Sequence, residues 1–224
     1  GIGQLDAGLA ELKRDVPPSE VPGPGKIRNS NSYAMAACAR EAGAEAVMLP
    51  IVQDTFEALR DAVAAAAREY DLVVTTGGAA NGDFDFIKPV VAELGELMMT
   101  TVNIRPGKAQ TFGMVEGTPV FGLPGNPAAA YVGFQLLIRP ALRTMQGYRF
   151  MDHPVVKARL TADEKNRDPR RIYLRANLTR TAEGYEVTPA KNQSSGLFGP
   201  IQKTNCLAVM PEGTAPQPAG SIVD

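Results

Sequence analysis

Asp83 and Asp85 follow a Gly-rich turn, which itself follows an apolar run, in the stretch DLVVTTGGAANGDFDFIK from Asp71 to Lys88. Carboxylates at such a place offer hard oxygen ligands to a divalent cation, and Gly77, Gly78 and Gly82 let the backbone take positive φ or pass close to a ligand. Two other segments bring the complementary charge. In IRPGK, Ile104 to Lys108, the cations Arg105 and Lys108 flank Pro106-Gly107 and can turn toward one phosphate or oxyanion. In LPGNP, Leu123 to Pro127, the residues Pro124, Gly125 and Asn126 form a tight turn before a long helix that begins at Pro127, and its backbone amides can receive an anion. The sum is an anion pocket with one acidic wall.

Each of these residues also has an ordinary structural use. A Gly-Gly pair after a strand often only closes a connection. Asp83, Asp85 and Asp54 can cap helices, Arg105 and Lys108 can be solvated charges, and Asn126 can brace its own turn. Taken alone, the residues describe an anion-binding α/β domain and leave its ligand open.

The elements that must position these loops alternate between helix and strand from Asn29 to Gly147. Asn29, Ser30 and Asn31 supply caps for an Ala-rich helix, Ser32 to Ala42, closed by Gly43. Ala46 to Ile51 predicts a strand, and Asp54 or Thr55 caps a helix with Phe56, Leu59, Val63 and Ala66 to Ala67 on one face. The strand Leu72 to Thr75 follows, then a helix over Phe86 to Leu94 with Pro89 in its first turn. Strands are expected at Met98 to Ile104, Thr111 to Met114 and Val120 to Leu123, and a helix over Pro127 to Met145 kinked near Pro140. This alternation predicts an α/β domain, a mainly parallel sheet with helices on both faces, whose ligand lies beyond the carboxyl ends of the strands.

After Gly147 the pattern changes to short alternating strands at Val155 to Leu160, Arg171 to Thr179, Tyr185 to Pro189 and Leu207 to Met210. The expected organisation is an N-terminal tether over 1–25 with a short helix through Leu5 to Leu12, an α/β domain over 26–148, and a small β-barrel domain over 149–224.

At 224 residues and 44% hydrophobic content, the chain has material for one large or two modest cores. Its 23 basic and 24 acidic residues balance to a net charge of -1, which leaves no general electrostatic footprint for nucleic acid or an anionic membrane. Cys38 and Cys206 stand far apart in apolar or small-residue surroundings, which argues against a disulfide framework and for the cytoplasm. No apolar run approaches the roughly 20 residues of a membrane span, and the first residues lack a signal-peptide layout. With one histidine, His153, and two cysteines, a zinc cluster or a Ser-His-Asp triad is not expected, and His153 is given no role.

The order GKIRNSN (Gly25 to Asn31), TTGGAANGDFDFIK (Thr75 to Lys88), IRPGK and LPGNP resembles the molybdopterin molybdenumtransferase family, which includes the C-terminal part of gephyrin. Gln193-Ser194-Ser195-Gly196, Lys203-Thr204-Asn205 and the strand ending at Pro211 are similar to that family's last β-barrel domain. Members are longer, with an elongated region and a further domain ahead of these two, so a fragment is expected. Asn29 stands where many members carry an acid, Ala79-Ala80-Asn81 where a Val-Ser pair is usual, and Ala109 where Pro is common.

The resemblance implies insertion of molybdate into adenylylated molybdopterin with release of AMP, aided by Mg2+ or another divalent cation. It implies that Asp85 and Asp54 hold the metal and act in catalysis with Lys88. Asn29, Ser30, Asn31, Thr76, Gly77, Gly78, Gly82, Arg105 to Lys108, Pro124 to Pro127, Ser194 and Ser195 would bind substrate. A homodimer and a partnership with a molybdopterin adenylyltransferase are also implied. Two other readings stand beside it: a pterin-nucleotide or nucleotide pyrophosphatase or adenylyltransferase on the same α/β domain, and a non-catalytic gephyrin-like scaffold module.

Overall fold

The computed structural model describes the backbone of residues 2–4 and, with side chains, residues 29–77, 86–165, 168–213 and 216–224. The expected helix through Leu5 to Leu12 lies outside the described residues, as does most of the expected tether; Ile2–Gln4 (β1) forms an edge strand of the first sheet.

Helix α1 spans Asn31–Glu41. The Asn29 Oδ1 accepts from Ser32 N at 3.2 Å, and Gly43 ends the helix at φ +89°, so of the three candidate caps Asn29 is the one whose side chain closes the first turn, while Asn31 lies within the helix. Helix α2, Phe56–Glu69, is capped by Thr55, whose Oγ1 accepts from Ala58 N; it buries Leu59, Val63, Ala66 and Ala67, one stripe of its surface. The strand expected at Ala46 to Ile51 is not formed as a named element: Pro50 has no N–H to give a ladder, and Val47 and Met48 stay exposed.

The first sheet runs β1, β2 (Val73–Thr76), β6 (Thr118–Leu123), β5 (Thr111–Val115), β3 (Gly95–Met99). The α/β class holds, but the sheet is mixed. β1, β2 and β6 are parallel, whereas β6, β5 and β3 are antiparallel. The cause is local: β5 and β6 are joined by Glu116-Gly117, both at positive φ (50° and 84°), the two-residue reversal that only an antiparallel pair accepts.

Successive β2 side chains point to opposite faces and each face carries its own core. Val74, Phe121 and Leu123 pack with Met35 and Ala36 of α1 and with Phe134 and Ile138. Val73, Val115 and Val120 pack with α2 and with Ile87, Val90 and Val91 of α3, Ile87–Leu94. The long helix expected from Pro127 is three pieces: α4 (Pro127–Gly133), a π-helical turn (Phe134–Ile138) and α5 (Arg139–Met145). Pro140 cannot donate into an α-helical ladder, and the wider turn absorbs the break just ahead of it.

The C-terminal sheet runs β10 (Cys206–Met210), β8 (Arg171–Thr181), β9 (Gly184–Pro189), β7 (Ala158–Leu160), β11 (Ile222–Val223). It curls into a half-barrel. Its two outer strands approach each other where Val209 N donates to Asp224 O at 2.7 Å. Its core is Leu160, Ile172, Leu174, Ala176, Val187, Ala208 and Met210. The short helix α6, Gly199–Gln202, and strand β11 had no clear signature in the sequence. Strand β4, Ile104–Arg105, belongs by chain order to the first sheet but pairs in parallel with β8, setting Ile104 opposite Arg171 and Arg105 opposite Ile172.

Candidate anion pocket at the junction of the two sheets

The β4–β8 pairing brings the IRPGK turn against the half-barrel, and a cavity of about 500 Å³ opens between them. Its wall includes Arg105, Pro106, Gly107 and Lys108 from the turn, Pro124, Gly125 and Asn126 from LPGNP, Arg170 and Arg175 from around β8, and Gln193, Ser194 and Ser195. Among the described residues, four cationic side chains and no carboxylate line it.

Arg175 is the residue that sequence reasoning missed. Strand alternation places its neighbours Leu174 and Ala176 in the half-barrel core and Arg175 on the opposite face. That face is covered by the segment ending at Ser195, so the guanidinium is buried, with the residue only 1% exposed. Gln193 clips the backbone there: its Oε1 accepts from Arg175 N at 3.1 Å, and its Nε2 donates to the Arg175 and Ala190 carbonyls. One Arg175 Nη donates to Ser194 O at 3.2 Å, whereas Nε finds no acceptor among the described residues. Burial lowers its pKa, and among the described residues no carboxylate opposes the shift. An unpaired buried cation is costly, and an anion in the cavity would offset that cost.

At the rim, Asp168 gathers two of the other cations. Arg170 grips it with Nε at 2.8 Å and Nη2 at 2.7 Å, and Arg105 Nη1 reaches it at 3.2 Å. Hydrogen bonds from Arg170, joined by that from Arg105, hold its carboxyl well below the usual range. Lys108 is exposed at the mouth.

LPGNP works as a keystone more than as a row of free amides. Asn31 Nδ2 donates to Gly125 O at 2.8 Å, Ala128 N donates to Ser195 O at 2.9 Å, and Gly77 N donates to Leu123 O at 3.1 Å. A Cβ on Gly125 would sit 3.5 Å from the Gly77 Cα, so the end of β2 touches the pocket wall directly. Asn31 Oδ1 and the hydroxyls of Thr75 and Thr76, all buried, have no partner among the described residues.

Of the sequence candidates, then, Arg105 to Lys108, Pro124 to Asn126, Ser194 and Ser195 line the cavity, and Asn31 and Gly77 adjoin it through Gly125, with Thr76 next to Gly77 at the end of β2. Pro127 opens α4 behind it. Asn29, Ser30, Asp54 and Lys88 are not part of its wall; Asp54 precedes the cap of α2 and Lys88 sits in the first turn of α3. Gly78, Gly82, Asp83 and Asp85 lie outside the described residues. Among the described residues no three His, Cys, Asp or Glu side chains gather as a metal site, and no helix is long and apolar enough to cross a membrane. His153 Nε2 lies 2.7 Å from Gln135 Oε1, a packing contact remote from the cavity wall.

The family described as "probable molybdopterin binding domain" matches residues 10–144, more than half of the sequence. The chain belongs to this family. Behind this domain, residues 157–224 match the MoeA C-terminal region (domain IV). A molybdopterin molybdenumtransferase of Staphylococcus epidermidis is 36% identical over 202 residues, covering 90% of this chain and 48% of that protein. The counterpart from Staphylococcus aureus is 35% identical over 201 residues, covering 89% and 48%. This molybdopterin-binding-domain chain thus spans about half the length of the curated relatives it matches. The solved molybdopterin biosynthesis MoeA protein of Pyrococcus horikosii superposes with a TM-score of 0.77 at 29% identity, covering 99% of this chain and 52% of that one. A molybdopterin biosynthesis protein from Mycobacterium abscessus, TM-score 0.53 at 18% identity, shares the fold over 65% of this chain and 92% of its own.

Proposed function

We propose that this chain forms the oxyanion- and nucleotide-handling part of a molybdopterin molybdenumtransferase, which inserts molybdate into adenylylated molybdopterin and releases AMP. The observation that carries the reading is Arg175, a buried guanidinium in the wall of a cavity lined by three more cations, whose Nε has no partner among the described residues. A tetrahedral dianion in that cavity would receive N–H donors from Arg175 and meet the positive charge of Lys108 and Arg105. In a partly buried site such charge neutralisation is worth far more than in water. Asn31, Thr76 and Gly77, next to the same wall, would face the pterin nucleotide. Release of AMP requires an oxygen of water to bond to the adenylyl phosphorus as the phosphoanhydride P–O bond breaks, the molybdopterin phosphate leaving with the electron pair and the water proton passing to solvent; positioning with charge neutralisation supplies that step without a covalent protein nucleophile.

Asp85 and Asp54 are the acids we assign to Mg2+ or another divalent cation, with Lys88 beside them, on the family resemblance. The 26–148 and 149–224 division is proposed as two domains that share the pocket. A homodimer, completed by the region that the relatives carry beyond this length, a molybdopterin adenylyltransferase as supplier of substrate, and a cytoplasmic location complete the proposal.

The direct test is calorimetric titration of the chain with sodium molybdate and with AMP, alongside AMP release by full-length protein containing it. Molybdate binding lost in Arg175→Met supports the reading. AMP bound with no response to molybdate would favour the nucleotide-hydrolysing alternative, and binding of neither ligand would favour the scaffold. Light scattering that finds only monomer would count against the homodimer.

A further inference from the structure

Gln110 is wholly buried between the IRPGK turn and helix α4. Its Nε2 donates to the Gly107 carbonyl at 2.9 Å, while its Oε1 has no partner among the described residues. The amide is seated between two glycines. Gly107 is at φ +96°, and a Cβ there would come within 2.7 Å of Nε2; a Cβ on Gly133 would stand 2.5 Å from Oε1 and 2.6 Å from Nε2. Gly107 lies in the turn that carries Arg105 and Lys108, and Gly133 lies in the helix that LPGNP opens, so one side chain spans two walls of the cavity. A buried amide with an orphaned acceptor costs stability that an aliphatic side chain would not. What its placement yields is a fixed separation between turn and helix.

We propose that Gln110 is a positioning residue, which holds the Arg105–Lys108 turn against α4 and so sets the affinity of the cavity for a tetrahedral oxyanion. The proposal rests on the oxyanion reading of the cavity given above. Gln110→Met keeps the length of the side chain and removes one hydrogen bond together with one orphaned acceptor, so its unfolding temperature should stay near the parent's. Gly133→Ala keeps the glutamine at position 110 but displaces its amide from its seat.

The experiment is titration with sodium molybdate by calorimetry, with thermal unfolding in parallel, on the parent, Gln110→Met, Gly133→Ala, Gln110→Ala, the Gln110→Ala/Gly133→Ala pair and Lys108→Gln. Gln110→Met and Gly133→Ala are each expected to bind molybdate about fivefold more weakly, the equivalent of one hydrogen bond. In the Gln110→Ala background, Gly133→Ala should add nothing, because the group it collides with is gone. Parent-like affinity in Gln110→Met, with Lys108→Gln weakened, overturns the positioning role and leaves the pocket reading intact. A parent that takes up no molybdate overturns the pocket reading itself. Should Gln110→Met fail to fold, Gly133→Ala is read by the same criteria.

Discussion

Arg105 Nη1 meets Asp168 Oδ2 at 3.2 Å, an ion pair that ties the turn between β3 and β5 of the first sheet to the approach of β8 in the half-barrel. The two residues are 63 positions apart, and neither would be paired by sequence pattern alone. The contact restrains the mouth of the cavity and draws on a cation that the cavity would otherwise present undivided.

Asp168 makes folding acid-sensitive. Its folded pKa is depressed, so its stabilisation is fully present above the unfolded-state value of about 3.9 and is lost as pH falls through the lower folded value. The unfolding temperature of the parent should therefore drop more steeply with acid below about pH 5 than that of Asp168→Asn. Equal slopes for the two proteins would show that the ion pair contributes nothing.

Arg175→Met separates stability from binding. Replacing a buried, unpaired cation by an apolar side chain of similar length should leave stability unchanged or raise it by about 1–3 kcal/mol in urea unfolding. Molybdate affinity should fall by about tenfold or more, as expected when a charged hydrogen-bond donor is removed. A variant that is strongly destabilised would mean that Arg175 is a structural residue.

Asn31 holds Gly125 by its amide N–H, so the sign of its replacement depends on the donor. Asn31→Ala should cost about 1–3 kcal/mol, the penalty for an unsatisfied buried carbonyl. Asn31→Asp should cost more, since it turns a carboxylate oxygen toward the Gly125 oxygen. Equal unfolding free energies for the two variants would remove Asn31 from the keystone.

Lys108 is exposed at the mouth, where its attraction for an anion is screened by salt. Lys108→Gln should weaken molybdate binding by roughly fivefold in dilute buffer and by less at 0.5 M salt, where the Debye length is about 4 Å. Calorimetry at the two salt concentrations checks this; a loss independent of salt would require a direct, desolvated contact.

Much of the architecture was legible along the chain because it depends on local periodicity and on punctuation. The stripe Leu59, Val63, Ala66 and Ala67, the Thr55 cap and the apolar run into β2 each follow from side-chain spacing alone. The hairpin at Glu116-Gly117 was written in two adjacent residues, but the expectation of a mainly parallel sheet passed over it. Ala46 to Ile51 reads as a strand by propensity and fails through Pro50 and the exposure of Val47 and Met48. The motifs IRPGK and LPGNP were found because Pro and Gly mark their turns, and both line one cavity.

What the sequence determined by itself was the set of elements, the two-part pattern and the loops with chemistry to offer, since these depend on neighbours within a few residues. The tertiary structure decided which loops meet and which charges are buried. Arg175 looks like an outward-facing arginine on an alternating strand, and it becomes a buried cation only because Gln193 to Ser195 and the IRPGK turn close over that face. Gln110 looks like an ordinary polar residue, and its place between Gly107 and Gly133 follows from the packing of the IRPGK turn against α4. Burial and pairing are set by contacts across tens of residues, and such contacts leave no periodicity for a sequence to display.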